Sequence, residues 1–545
     1  MFPLLFHHFL RRTAQYFSQN RTAKITTAGL FILLLLSLSA ALFSFFLHGF
    51  RYLSLSGYFK DAIFLYLSEL FMLTIFILVF ISALITGLFS LFSGKDKVLL
   101  ALSPQFSVIP SLILTRMFLA SLWPILILVF PSLVALSLVY PLSFFGASCI
   151  ILALTCFVAL AVISALSLIF LIAQMLFFFQ RKFLTQGSLV LITLLLSTVF
   201  VFAAWQNIRS VSLNSLFAVE ALEDTTADIA LIQSHFSLLP SHPAALAFFA
   251  ASHDTPLSLL RNTGIIFLFL CIAFVPFLIL RKYHLSLWQH FQESASAQKS
   301  SSRSFSSTLT HASGPLDALF RKEIVTFFRN ARGMTWFGFF CLIWLIQSGS
   351  IFILNHQLSM RPQALPYVVI AFQIAAAIYF VNMFVLRFAF PSFSMEQKMS
   401  WVIESAPLSR TKIFLARISF YVPLLVLLGL LFSLLNTFII TLSPIQSLLV
   451  LGVISLASAT VTLYGLALGA MFPNFETDDP EFLSTSLPGL TFIFTSVLYG
   501  GSIAIALRGD FITGEPYKLI LFLFFSLLVS LLSIAIPLRY FRNKR

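Results

Sequence analysis

Residues 147–179 read ASCIILALTCFVALAVISALSLIFLIAQMLFFF, an apolar run without a single Asp, Glu, Lys, Arg or His. About 20 apolar residues in a helix cross the hydrocarbon core of a bilayer, so this run is long enough. In that core every backbone polar group needs a partner within the segment, which a helix provides. The run therefore predicts a membrane-spanning helix.

The composition of the whole chain has the same character. Of 545 residues, 59% are hydrophobic and only 10% are charged, and Phe alone contributes 66. Soluble domains carry roughly 25% charged residues, and disordered chains are poor in apolar ones. Both classes are excluded. We predict an all-α polytopic membrane protein with about twelve transmembrane helices, which leaves no room for a large soluble domain.

The predicted spans are the apolar stretches of about 18 residues or more. They lie near 25–48, 64–92, 110–140, 147–179, 188–205, 262–280, 334–355, 364–390, 413–441, 446–472, 487–507 and 518–538.

The basic residues predict an orientation. The net charge is +14, and if both termini are cytosolic, 25 of the 33 Lys and Arg residues lie in cytosolic segments and 7 outside. This bias follows the positive-inside rule. It explains the net charge without nucleic acid as a partner. We expect a multi-pass protein of the plasma (cytoplasmic) membrane with the lipid bilayer as its environment.

A polar segment divides the chain into two halves of six spans each. The predicted domains are residues 1–281, a cytosolic linker at 282–314, and residues 315–545. The part from 293 to 313 is rich in Ser and lacks periodicity, which is typical of a flexible linker.

Each half begins with a predicted amphipathic helix. After the linker comes PLDALFRKEIVTFFRNARG, in which apolar residues recur at helical spacing and basic residues occupy the other side. Such a helix lies in the membrane interface. Its candidate functional residues are Arg321, Lys322, Glu323 and Arg329. An ordinary solvated linker remains the alternative.

Two cytosolic loops correspond between the halves. Residues 94–116 read GKDKVLLALSPQFSVIPSLILTR, and residues 396–417 read EQKMSWVIESAPLSRTKIFLAR. Each has a charged start, a small residue followed by Pro, and a basic residue, Arg116 or Arg417, at the entry to the third span of its half. Equivalent placement predicts a six-span repeat, a known transporter architecture.

In their order and spacing these segments resemble the permease subunit of a type-2 ABC transporter, in the fused two-half, twelve-span form. The resemblance implies an exporter of an unidentified substrate, with no enzymatic activity of its own. ATP and magnesium would act through a separate ATPase subunit, present in two copies. The two loops would hold the helices that couple to it. Their residues would be Lys95, Asp96, Lys97, Pro104, Glu396, Lys398, Trp401, Glu404 and Pro407.

The sequence lacks the phosphate-binding pattern G-x-x-x-x-G-K-[ST]. Its nearest approach, from Gly87 to Gly94 and Lys95, has six intervening residues instead of four, and Asp96 replaces Ser or Thr. No residue set has the spacing of a catalytic or metal site, so we predict neither. The four cysteines lie in apolar runs and are expected to be buried thiols.

Apart from the basic residues at span entries, two charged residues, Glu69 and Arg387, fall inside predicted spans. Their side chains are long enough to extend to the membrane interface, at opposite ends of their spans, and a proton relay is the alternative. An ion-coupled secondary transporter is a second hypothesis, although it would need more charges near the midplane. A membrane-embedded lipid or glycosyl transferase is a third. It would need clustered carboxylates or His near an interface.

Overall fold

The computed structural model describes most of the chain in segments. They are residues 60–91, 108–140, 142–179, 241–253, 255–289, 314–358, 365–399, 408–440, 443–475, 486–513 and 516–543, with isolated residues at 29–51, 195–202, 234–240 and 483–484. Within these segments the secondary structure is helical, and no strand occurs. This confirms the predicted all-α fold.

The α-helices have the following bounds, in chain order. They are α1 (Lys60–Leu91), α2 (Val108–Val139), α3 (Phe144–Phe179), α4 (His242–Ser252), α5 (Pro256–Leu280), α6 (Pro315–Arg329), α7 (Ala331–Leu358), α8 (Leu365–Phe384), α9 (Arg410–Ile440), α10 (Pro444–Met471), α11 (Leu487–Thr513) and α12 (Pro516–Asn543).

Six described helices are long and apolar enough to cross a membrane. Their apolar stretches are Phe64–Leu91, Phe144–Met175, Pro256–Gln289, Arg410–Phe438, Pro444–Met471 and Tyr517–Arg542. Other described helices, such as α2 and α11, carry shorter apolar stretches of 10–17 residues. Six spans are therefore supported, while the predicted number of twelve and the two-repeat layout are not confirmed. The predicted span at 188–205 lies almost entirely outside the described residues.

The chain forms two compact units, of which the N-terminal unit comprises Ser39–His311 and Phe328–Ile346. Its central element is α3, which packs against α1, α2, α4 and α5. Because α3 is apolar on all sides, it can be surrounded by other helices. Aromatic side chains fill the contacts, such as Phe170 with Phe277 at 6.3 Å between ring centroids.

The C-terminal unit comprises Met1–Leu38, Ala312–Phe327 and Gln347–Arg545. Here α10 is central and packs against α8, α9, α11 and α12. Its N-terminus is a capping box, in which the Ser443 hydroxyl accepts a hydrogen bond from the backbone N–H of Gln446.

The segment after α8 is irregular and lies against α10. It passes through a π-helical turn, Val385–Ala389, and two 3₁₀ turns, Phe390–Ser392 and Ser394–Met399. A Cβ on Gly469 would lie 2.1 Å from the Phe390 carbonyl oxygen. Glycine at 469 is thus what lets the segment approach α10 so closely. The backbone N–H of Asn474 also donates to Ser394 Oγ at 3.0 Å. Both contacts fix the backbone that leads to Glu396.

Replacing Gly469 with Ala should destabilise the protein, because the methyl group would overlap a backbone oxygen that cannot rotate away. Overpacking of this kind costs about 1–3 kcal/mol. The measurement is the thermal unfolding midpoint in detergent micelles. Gly452→Ala in the same helix is the matched control, since a Cβ there meets nothing within 4 Å. Equal midpoints for the two variants would contradict the proposed contact.

Candidate functional site

Helix α6 buries one narrow face within the C-terminal unit. Leu319, Glu323 and Phe327 are its buried residues, and their spacing of four places them on one side of the helix. Leu319 packs in a small core with Ile413 and Ala416 of α9. The Phe327 ring lies 5.1 Å from Phe388 and 5.7 Å from Phe420, measured between centroids. A carboxylate is therefore enclosed between two apolar anchors.

The partner of that carboxylate is Arg417 of α9, whose side chain is only 1% exposed. Its Nε donates a hydrogen bond to Glu323 Oε1 at 3.3 Å, and its Nη2 donates to Glu396 Oε1. Lys322 Nζ also donates to Glu396 Oε1, at 2.5 Å. We call Lys322, Glu323, Glu396 and Arg417 the ion cluster.

The ion cluster is formally neutral, with two carboxylates and two cations. Removing such groups from water costs several kcal/mol per ion, and close pairing offsets this cost. The guanidinium also lies over the Phe393 ring, with 3.7 Å between Cζ and the centroid. Arginine suits the position because its planar fork can reach two carboxylates at once and stack on an aromatic face. Lysine offers neither.

The ion cluster connects three separate parts of the sequence. Glu323 belongs to the amphipathic helix α6, Glu396 to the 3₁₀ turn after α8, and Arg417 to the long apolar helix α9. The sequence-predicted residues Lys322, Glu323 and Glu396 thus come together. Arg321 instead pairs with Asp317 on its own helix at 3.0 Å, and Arg329 is exposed at the helix end.

The side chains of the remaining predicted coupling residues lie outside the described structure. Lys398 lies in the same 3₁₀ turn as Glu396, with its side chain outside the described structure. The positions that fall outside the described residues are Lys95, Asp96, Lys97, Pro104, Trp401, Glu404 and Pro407. Their coupling role, like the interfacial position of α6, stays a prediction.

Sequence reasoning did not place Arg417 at the centre of the site. It treated Arg417 as one of the basic residues that flank a span, as Arg410 and Lys412 do. Those two are exposed, whereas Arg417 lies about two turns further along α9 and is buried. The sequence feature that could have identified Arg417 is its distance from the start of an apolar helix. Arg116, its counterpart in the first half, is exposed on α2, so the correspondence of the two loops does not extend to burial.

A second polar contact lies in the N-terminal unit. Glu69 of α1 is fully buried, and its Oε1 lies 2.5 Å from Nδ1 of His242. Asp61 and His253 form a similar pair at 3.2 Å. Among the described residues, no group of three His, Cys, Asp or Glu side chains is placed to hold a metal ion.

The chain belongs to the family described as "Putative ATP-binding cassette", which matches residues 20–543. No curated protein and no solved structure matches it. The family defines the general class, a transport-related protein of the ATP-binding cassette group, and the apolar helices fit a membrane member of that class.

This family corrects several expectations. Its description is that of an ATP-binding cassette, which contradicts the resemblance to permease subunits. It also contradicts a chain without ATP-related activity, and the assignment of ATP and magnesium to a separate ATPase subunit in two copies. The expectation of a separate ATPase rested on the missing phosphate-binding motif. A missing phosphate-binding motif excludes one way of holding a nucleotide and does not exclude nucleotide binding.

The described residues do not by themselves form a phosphate-binding loop. That loop needs glycines with free backbone N–H groups ahead of a helix. Several of the described glycines, namely Gly87, Gly429, Gly465 and Gly469, instead lie inside helices, packed closely against other side chains or backbone. In the ion cluster, Lys322 and Arg417 are already bound to carboxylates. These residues therefore do not fit a nucleoside triphosphate.

Replacing Arg417 with Met should cost about 3–5 kcal/mol of stability, because the buried carboxylate of Glu323 would lose its hydrogen-bond donor and the partly buried Glu396 would keep only Lys322. Unfolding of the purified protein, followed by circular dichroism, measures the loss. Arg116→Met is the matched control and should change stability by less than about 0.5 kcal/mol, since Arg116 is exposed. A loss in R417M no greater than in R116M would show that the ion cluster contributes nothing.

Proposed function

We propose that this chain is a membrane-embedded protein of ATP-dependent transport, in which the ion cluster makes the amphipathic helix α6 and the membrane helix α9 move together. The observation that carries this proposal is the position of Arg417, which holds a carboxylate from α6 and another from the turn after α8. A movement at either of these elements reaches the apolar helix through one buried side chain.

The low polarity around the ion cluster supports this role. Charges attract one another more strongly away from water, and separating them there leaves each without a partner. Moving α6 away from α9 would break the Glu323–Arg417 bond and expose the Leu319 and Phe327 contacts together. The close approach at Gly469 ties the turn that bears Glu396 to α10. Together these contacts favour movement of the elements as one body.

Spin labels would test this connection directly. Ala318 on α6 and Leu415 on α9 are exposed and can carry the labels after substitution by Cys. The wild-type distance distribution should be narrow, because the ion cluster holds the helices together. It should broaden in Arg417→Met and stay narrow in the control Arg410→Met, where the removed charge is exposed. A narrow distribution in R417M would contradict the proposal.

ATP enters this proposal through the family alone. The family description associates ATP with this chain, and the described residues carry no phosphate-binding loop that would locate it. Photo-crosslinking with azido-ATP and magnesium, on the purified 61.1 kDa chain, tests the association. We expect labelling that unlabelled ATP competes away and AMP does not. Peptide mapping of the label would then identify the residues. Absence of competed labelling would overturn ATP binding by this chain.

The finer topology belongs to the same proposal. We propose twelve spans in two repeats, with domains at 1–281 and 315–545 around the linker 282–314, and both termini cytosolic at the plasma membrane. The 25-to-7 distribution of Lys and Arg supports this orientation. A fluorescent-protein fusion at the C-terminus should be fluorescent, and an alkaline phosphatase fusion there should be inactive. The opposite pair of results would overturn the orientation.

A further inference from the structure

We propose that Glu69 and His242 form a proton-binding site that controls how helix α4 docks on the membrane helix α1. The sequence identified Glu69 as an intramembrane acid, and His242 lies 173 residues away from it. The structure joins them, with 2.5 Å between His242 Nδ1 and Glu69 Oε1. The function proposed above does not involve this pair.

The pair is enclosed. The Glu69 side chain is fully buried, and that of His242 is 14% exposed. The second carboxylate oxygen, Oε2, is buried and has no hydrogen-bond partner in the described structure. A single imidazole is thus the polar partner found for a carboxyl group inside an apolar helix bundle. Intramembrane acids in such surroundings are costly to ionise and are candidates for proton binding.

Two contacts hold α4 against α1, one near each end of α4. His242 is the first residue of α4, and His253 directly follows its last residue. His242 contacts Glu69 and His253 contacts Asp61, so the two helices run antiparallel. The outer pair is accessible to water, with His253 33% and Asp61 46% exposed. Only the Glu69 pair is shielded enough for its protonation to change docking strongly.

The other ionisable groups on the packed elements are few. The elements that contact α4 are α1, α3 and α5. Besides the two pairs, their ionisable residues are Lys60, Tyr66, Cys149, Cys156, Arg261 and Cys271, and Tyr140 of the neighbouring α2 end contacts Phe64. Arg261 is exposed on α5.

These surroundings determine which protonation state of the Glu69–His242 pair favours the docking of α4 on α1. With one proton, the pair is a neutral acid and base or an imidazolium and carboxylate, and in either case its net charge is zero. Loss of that proton at alkaline pH leaves a buried net negative charge. Separation of α4 from α1 would relieve this charge by exposing Glu69 to water. Docking is therefore linked to the bound proton.

Cysteine accessibility can measure docking. Ala245 of α4 is fully buried, so Ala245→Cys reports on the separation of the helices when treated with a water-soluble maleimide. The protein would be placed in nanodiscs with its four native cysteines replaced. Because thiol reactivity itself rises with pH, each rate is divided by that of Leu257→Cys, an 83% exposed position on α5.

The relative rate should be low at neutral pH and should rise at alkaline pH in the otherwise wild-type protein. Glu69→Gln should lose this alkaline rise, since glutamine has no proton to release there. Asp61→Asn is the matched control and should keep the rise.

Two results would overturn the proton site. One is an alkaline rise in E69Q equal to that of wild type, which would place the titrating group elsewhere. The other is a wild-type rate without pH dependence, which decides the matter even if both variants fail to fold. Gel filtration of each variant checks that folding is retained.

Discussion

A buried arginine between two carboxylates is the interaction on which the C-terminal unit depends. Arg417 is 1% exposed within a long apolar helix, and a lone cation there would be strongly unfavourable. Glu323 and Glu396 stabilise the buried cation only if both carboxylates lie next to its guanidinium group. The packing of Leu319 and Phe327 against α9 brings the first, and the turn held against α10 brings the second. The ion cluster therefore constrains the placement of α6, of the segment after α8, and of α9 together.

The N-terminal unit also contains a buried ionisable group, with fewer charged residues around it. Its buried acid has a single imidazole partner, from a short helix that follows a polar part of the sequence. Both units thus place a small number of ionisable groups inside apolar helices and pair each with a group distant in sequence. Such pairs hold helices in register more specifically than apolar contacts do, because an unpaired member is costly. They are also the places where an outside signal, such as a proton or a moving helix, acts most strongly.

Composition and periodicity were sufficient for the fold class and for the positions of most long helices. The run at 147–179, for example, corresponds to α3 at Phe144–Phe179. They did not establish twelve spans, because several helices combine shorter apolar stretches with polar ends, as in α11. For the candidate site, Glu323 was selected for its place in the predicted amphipathic helix, and Glu396 for its place in the loop that corresponds between the two halves. The role of Arg417 could not be predicted, since positive residues at span ends are common and only tertiary packing distinguishes a buried one. The same holds for Glu69 and His242, which are 173 residues apart.

The family corrected the inference about ATP, which had relied on the absence of one motif.

The most direct test of the central claim is a double-mutant cycle between Arg417 and Glu323, with Arg417→Met, Glu323→Gln and the double variant compared by their free energies of unfolding. A buried pair that holds α6 on α9 should show a coupling energy of at least about 1.5 kcal/mol, within the range measured for close charge pairs. Additive effects of the two substitutions would contradict the account, because the two residues would then contribute to stability independently.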